Sequence, residues 1–204
     1  VDISQPKWWV DNDGNNPDPL TVIKSDEVNT KWYPQYHKDW SEHYINTLEE
    51  EGEYDHVIWP EHCIHVSWGH SIQEDVMNAL IEWSRKNNKN FEVILKGQNT
   101  CTEHFGAFKA QVPMDDIKTK FNGRLLMNLE YHDVIHVAGE AESHCVANTI
   151  KQINDDSPYL CEKMTIYKDC MSPVPYFEGF ADGIFETSQK NVAELVSLKE
   201  TIDR

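Results

Sequence analysis

The stretch VIHVAGEAESHCVANTI, residues 134–150, carries the strongest indication of the fold. The apolar run at 133–139 is typical of a strand that is buried on both faces. After the turn, apolar residues recur at Val146, Ile150 and Ile153, which is the spacing of one helical face. A buried strand that turns directly into a helix is half of a βαβ unit, so this stretch predicts a parallel sheet covered by helices.

Further strands and helices alternate along the chain. The patterns predict strands at 56–59, 91–95 and 163–169, and helices at 39–51, 70–87, 115–130 and 187–200. This alternation indicates an α/β fold with a three-layer, doubly wound and mostly parallel sheet. We expect one domain over 1–204, in which 1–36 is loop-rich because Pro, Asn and Asp offer turns throughout it.

The composition excludes several classes of partner. Eighteen basic and thirty-five acidic residues give a formal charge of -17, which disfavours a nucleic acid. No apolar run approaches the roughly 20 residues that cross a bilayer. The five cysteines are odd in number and scattered, which favours free thiols in a reducing compartment. We therefore expect a cytoplasmic protein with no nucleic-acid or membrane partner.

Cys145 is the first candidate for chemistry. It lies in the first turn of the predicted helix, with Ser143 as a candidate N-cap. Backbone N–H groups in a first helical turn favour a negative charge, so this position suits a nucleophilic thiolate. The alternative is that Cys145 packs as a small buried hydrophobe, as most free cysteines do.

Lys96 ends the second predicted strand, and the turn before Cys145 follows the third. Because the carboxyl ends of parallel strands meet at one sheet edge, we expect these residues to converge there with Trp59 and His62, which follow the first strand. A cation beside Cys145 would stabilise a thiolate. The alternative for Lys96 is a solvated lysine at a strand end.

The histidine-rich stretch WPEHCIHVSWGH, residues 59–70, raises the question of a metal. Its spacing fits no common closed zinc site. A single histidine, His62, in an open catalytic site is a better interpretation, because such sites take their ligands from different strand ends. A hydrogen-bonded loop histidine is the alternative.

Four motifs in the same order resemble those of the nicotinamidases, which belong to the isochorismatase-like cysteine hydrolase superfamily. They are WPEHCIHVSWGHSI at 59–72, ILKG at 94–97, TEHFGAF at 102–108 and VAGEAESHCVANT at 137–149. The opening QPKWWVDNDGNNPDP, residues 5–19, is similar to a tryptophan-containing insertion in larger members. The resemblance implies an isochorismatase-like hydrolase fold.

The resemblance assigns roles to individual residues. Cys145 matches the nucleophile and Lys96 the lysine of the catalytic triad, while Trp59 and Phe105 match aromatic residues that hold the pyridine ring. His62 matches a direct metal ligand and Glu103 an acidic residue that reaches the metal through water, with zinc as the first candidate for this divalent metal.

The resemblance also implies a cis peptide bond between Glu140 and Ala141, in the turn before Cys145. There the backbone N–H groups of Ala141 and Cys145 would stabilise an oxyanion. Gly106, where the family usually has serine, and His144, beside the nucleophile, are small departures from its pattern.

The reaction implied is that of a metal-dependent amidohydrolase of NAD salvage, which converts nicotinamide to nicotinate and ammonia through a thioester on Cys145. One alternative is a non-catalytic member that keeps the fold for binding. Others are an isochorismatase, whose reaction needs no thiol, and a carbamoyl-amine amidase, against which His62 weighs because those enzymes lack the metal histidine.

One part of the family pattern has no match in this sequence. The triad aspartate and two further metal ligands lie, in the family, upstream of the region that matches Val1, and Asp2 does not occur in a matching context. The expectation is therefore that an N-terminal fragment or a second chain supplies the first strands, and that the protein is a homo-oligomer.

Overall fold

The computed structural model describes residues 1–51 and 54–199. The chain divides into two compact units, Val1–Leu95 and Lys96–Arg204. A single domain over 1–204, with 1–36 as an insertion, stays a prediction. In the part of the chain that is described, no helix has both the length and the apolar character that crossing a bilayer requires.

The first unit contains two small antiparallel sheets. Strand β1 (Trp9–Val10) pairs with β3 (Tyr33–Pro34), and β2 (Val22–Ile23) pairs with β4 (His56–Val57). Helix α1 (Lys38–Glu51) confirms the helix predicted at 39–51. Its buried face carries Tyr44, Ile45 and Leu48, which is the apolar stripe that the sequence shows.

A buried histidine joins the N-terminal segment to this small core. The Nε2 atom of His56 lies 3.1 Å from the carbonyl oxygen of Ile3, which also accepts a hydrogen bond from the Trp9 indole at 2.8 Å. The His56 ring contacts both Trp9 and Tyr44, with centroid distances of 5.7 and 5.6 Å. Residues from 1–36 therefore form part of a packed core, although the segment contains mostly turns.

Two expectations for the first unit are corrected by the structure. The extended run at 56–57 belongs to β4, whose partner is antiparallel, so it does not join a parallel sheet. Residues 91–95 form no strand, and Val93 and Leu95 are 57% and 49% exposed. An apolar pattern indicates a strand, but a strand forms only where the backbone of a neighbouring strand pairs with it. The sheets of the described residues contain no strand beside this segment.

Helix α2 (Glu74–Asn87) starts later than the helix predicted at 70–87. Residues Trp68–His70 form a separate 3-10 turn. The Gln73 side chain then caps the helix by accepting a hydrogen bond from the Val76 N–H at 3.0 Å. A cap satisfies a backbone donor that has no partner within the helix, and this fixes the start of α2.

The second unit contains the parallel sheet, in the order β5 (Ile135–Glu140), β6 (Met164–Ser172) and β7 (Glu194–Val196). Helix α4 (Ala147–Asp156) follows β5, and helix α5 (Asp182–Lys190) lies between β6 and β7 in the chain. Helix and sheet residues share one core, which includes Val146, Ile150, Ile153, Leu160, Met164, Ile166 and Phe185. The α/β class with a parallel sheet is therefore confirmed.

Two predicted helices in this unit have different bounds. Helix α3 (Gly123–Glu130) covers only the second half of 115–130, because the Asn122 side chain caps it by accepting from the Leu125 N–H at 3.0 Å. The helix expected at 187–200 is α5, which ends at Lys190, and residue 200 lies outside the described range. The apolar residues after α5 form β7, which completes the sheet beside β6.

Truncation of Ile150 tests the core of the second unit. Ile150 is fully buried in α4, so we expect Ile150→Ala to lower the free energy of unfolding by about 3 kcal/mol, through lost burial and the cavity left behind. Met127 in α3 is 67% exposed, and Met127→Ala should change the free energy of unfolding by less than about 0.5 kcal/mol. Urea denaturation measures both. Equal, small effects would contradict the proposed core.

Candidate active site

The turn after β5 presents Cys145. The peptide bond between Glu140 and Ala141 is cis, as the resemblance implies. Gly139, with φ at +131°, adopts a backbone conformation that favours glycine. The next five residues, Glu142–Val146, form a π-helical turn that continues into α4. Cys145 lies in this turn and is half-buried.

Lys96 and Cys145 lie in contact. The Nζ atom of Lys96 is 3.3 Å from the Cys145 Sγ atom and donates a hydrogen bond to the carbonyl oxygen of His104 at 2.7 Å. The two side chains are predicted catalytic residues, and the structure brings them together although no strand precedes Lys96. A thiol in direct contact with a side chain that can carry a proton is the arrangement that covalent catalysis requires.

An aromatic cluster surrounds His144, the residue before Cys145. The imidazole stacks on Phe180 at 5.6 Å and meets Phe177 and Phe105 edge-on at 4.8 and 6.0 Å. Burial lowers the pKa of His144 below its ordinary value. The sequence marks His144 only as a departure from the family, and Phe177 and Phe180 were missed because their segment has no periodic pattern.

Ser143 does not cap a helix, which corrects the expectation from sequence. It lies inside the π-helical turn, and its Oγ accepts a hydrogen bond from the Val174 N–H at 2.9 Å. The same hydroxyl lies 2.9 Å from Nδ1 of His144. Because Oγ accepts from Val174, its own proton is available to Nδ1, which suits a neutral imidazole.

A loop after Lys96 carries Glu103, His104 and Phe105. The first two residues are buried, and the Glu103 carbonyl oxygen accepts from the Gln111 N–H at 2.9 Å. Burial and, secondly, the Lys96 charge lower the pKa of His104 to about 4. The sequence does not predict the role of His104. Its carbonyl oxygen accepts the hydrogen bond from Lys96, and a backbone acceptor is the same for every residue type.

Trp59 and His62, the other predicted site residues, belong to the first unit. The His62 ring contacts Trp59 at 6.3 Å, and its Nδ1 lies 2.7 Å from the Pro60 carbonyl oxygen. Residues 1–51 and 54–199 contain no group of three His, Cys, Asp or Glu side chains placed to hold a metal ion. His62 and Glu103 as metal ligands stay a prediction.

The fold is similar to that of known nicotinamidases. The yeast nicotinamidase bound to the inhibitor nicotinaldehyde superposes with a TM-score of 0.57 at 15% identity, over 96% of this chain and 74% of that one. A nicotinamidase/pyrazinamidase of Acinetobacter superposes with a TM-score of 0.51 at 15% identity, over 91% and 68%. No protein-family model matches the sequence, and no curated protein does. The protein thus has the α/β fold of these nicotinamidases, which confirms the resemblance at the level of fold.

The lowered pKa of His144 predicts a loss of stability in acid. As the pH falls below about 6.5, the unfolded chain binds a proton at this position while the buried imidazole resists it, so the free energy of unfolding decreases. His144→Phe keeps an aromatic ring and should make this decrease shallower between pH 6.5 and 5, as measured by urea denaturation.

The exposed His43 provides the control for this measurement. We expect His43→Phe to leave the pH dependence of the parent unchanged. Parallel curves for the parent and His144→Phe would mean that His144 does not contribute to the acid sensitivity.

Proposed function

We propose that this chain is a cysteine amidohydrolase that converts nicotinamide, or a related heteroaromatic carboxamide, to the carboxylate and ammonia. The observation that carries this proposal is the contact of 3.3 Å between Lys96 Nζ and Cys145 Sγ. The contact lies directly after the carboxyl end of β5, where open parallel sheets bind their ligands. The similarity in fold to nicotinamidases supports the same reaction class.

The first half of the reaction forms a thioester. The Cys145 thiolate attacks the carboxamide carbon, and the carbonyl oxygen becomes an oxyanion that accepts hydrogen bonds from the backbone N–H groups of Ala141 and Cys145. When the tetrahedral intermediate collapses, the carbon–nitrogen bond breaks. Lys96 gives a proton to the departing nitrogen, so that ammonia leaves and the lysine becomes neutral.

The second half restores the enzyme. Neutral Lys96 accepts a proton from a water molecule, which attacks the thioester carbon. The carbon–sulfur bond then breaks, so that Cys145 is again a thiolate beside the ammonium, and the released carboxylic acid gives its proton to ammonia in solution. One amide and one water have become one carboxylate and one ammonium ion.

The aromatic cluster beside Cys145 supports a planar, aromatic substrate. His144, Phe177 and Phe180 contact one another, and Phe105 contacts His144. Flat rings prefer stacked or edge-on contacts with other rings, so a pyridine carboxamide suits this surface better than an aliphatic amide. Trp59 as a further ring contact stays a prediction.

The steps above involve Cys145, Lys96 and the backbone N–H groups of the turn. A divalent metal, with zinc as the first candidate and with His62 and Glu103 among its ligands, stays a prediction. Four further expectations also stay predictions: an N-terminal fragment or second chain that completes the sheet, a homo-oligomer, a cytoplasmic location and a role in NAD salvage. A non-catalytic binding member and another hydrolase of the superfamily are the alternative functions.

Ammonia release from nicotinamide tests the proposal. We expect turnover by the parent, a loss of at least about 1000-fold in Cys145→Ala and a loss of about 100-fold in Lys96→Met, because these remove the nucleophile and the proton donor. Cys170→Ser, a thiol substitution on β6, should retain the parent rate within about twofold.

Nicotinaldehyde provides a second test that does not need turnover. An aldehyde has no leaving group, so a thiolate can add to its carbonyl and remain bound as a thiohemiacetal. Calorimetry should show binding to the parent and to Cys170→Ser, and much weaker binding to Cys145→Ala. Equal binding to all three, together with no ammonia release, would favour a non-catalytic member of the fold.

A further inference from the structure

The loop that receives Lys96 is attached to helix α4 through side chains of that helix. The Ala107 N–H donates to the Thr149 hydroxyl at 3.1 Å, and the Phe108 N–H donates to Gln152 Oε1 at 3.0 Å. The Gln152 amide nitrogen in turn donates to the Lys109 carbonyl oxygen at 2.9 Å. Three consecutive loop residues are thus held by two helix residues.

The same helix face carries the nucleophile. Thr149 lies four residues after Cys145, and its hydroxyl donates to the Cys145 carbonyl oxygen at 2.7 Å while accepting from the loop. Gln152 lies three residues further on, so the three side chains follow one another along one face of the turn and helix. The loop is therefore fixed relative to the segment that bears Cys145.

Gly106 permits this attachment. A Cβ atom at this position would lie 2.2 Å from Gln152 Oε1 and 2.4 Å from its Cδ, which is far inside van der Waals contact. The φ angle of Gly106 is not in the left-handed region, so the backbone conformation does not require glycine here. The close approach of the Gln152 amide does. A side chain at 106 and the observed position of Gln152 exclude each other.

Lys96 contacts this loop close to the residues that are bonded to α4. Its Nζ atom donates to the carbonyl oxygen of His104, two residues before Gly106, and lies 3.3 Å from Cys145 Sγ. If the loop moves relative to α4, the acceptor for the ammonium moves relative to the thiol. The contacts of Gln152 and Thr149 thus connect the acceptor of Lys96 to the helix that follows Cys145.

We propose that Gln152, together with Gly106 and Thr149, positions the catalytic lysine: the Gln152 amide locks the loop so that the His104 carbonyl directs Lys96 toward Cys145. This inference rests on the proposed function for its purpose, because it concerns the pair that performs the chemistry. Gln152 is 7% exposed, and it acts on the reaction only through the loop.

The rate of alkylation of Cys145 by iodoacetamide at pH 7, resolved by peptide mass spectrometry, tests this role without any substrate. The Lys96→Met variant is the reference, because it gives the alkylation rate of Cys145 without the neighbouring lysine. We expect Gln152→Ala and the volume-conserving Gln152→Met to approach that value, at least about fivefold below the parent.

The other cysteines serve as internal controls in the same samples. The exposed Cys63, in the first unit, should react at the same rate in every variant. The buried Cys161 should stay unmodified as long as the fold is intact. A general loss of structure would expose thiols and accelerate their alkylation, which is opposite to the decrease expected at Cys145.

Coupling between positions 106 and 152 gives a sharper test. Gly106→Ala should displace the Gln152 amide and reproduce the effect of Gln152→Ala, and the double variant should lose no more than either single one. Gly183→Ala in α5, where a Cβ meets no atom within 4 Å, is the matched control and should keep the parent rate.

The outcomes separate the two proposals. A reactive Cys145 that is unaffected by the Gln152 variants, or effects at 106 and 152 that simply add, would overturn the positioning role alone. A reactive Cys145 that responds to Gln152 in a protein without amidase activity would keep the positioning role and overturn the proposed function. A Cys145 no faster than Cys63 in the parent would overturn both.

Discussion

The site depends on one contact, between the Lys96 ammonium and the Cys145 sulfur, which joins residues 49 positions apart in the chain. The position of each residue depends on a different part of the backbone. Cys145 is placed by the turn that leaves β5, and Lys96 by a carbonyl group in a loop that helix α4 holds. The helix that follows the nucleophile therefore also fixes the nucleophile's partner.

This arrangement explains why the core and the site are built from the same segment. One face of α4 buries Ile150 and Ile153 against the sheet, while Thr149 and Gln152 contact the loop. Burial of the first face contributes to stability, and the hydrogen bonds of the second face give the loop a single position. A rigid scaffold of this kind is what a reaction between two side chains requires.

The sequence could predict what depends on local pattern. It predicted the strand and helix around Cys145, because apolar periodicity there agrees with the final packing, and it predicted the pairing of Lys96 with Cys145. The two side chains are in contact, as predicted. One reason for that prediction, a strand that ends at Lys96, is wrong, whereas the resemblance to a family placed both residues correctly. Strand 91–95 failed because strand formation depends on a neighbouring strand, about which the sequence of the segment itself holds no information.

Contacts made by the backbone were also beyond sequence reasoning. The carbonyl of His104 receives Lys96, and any residue type would offer the same oxygen. Phe177 and Phe180 were missed because they lie in an irregular segment, where no period marks the direction of a side chain. Serine is a common N-cap residue, which is why the sequence predicts a cap at Ser143. The Ser143 hydroxyl instead accepts a hydrogen bond from the Val174 N–H and contacts Nδ1 of His144.

The absence of a side chain at Gly106 has a consequence for how such a protein changes over generations. With a glycine there, the amide of Gln152 occupies the space that a Cβ would need. The two positions are therefore coupled: a side chain at 106 displaces the Gln152 amide from the place in which it holds the loop. We expect a change at either position to loosen the loop, so that Gly106 and Gln152 are retained or replaced together.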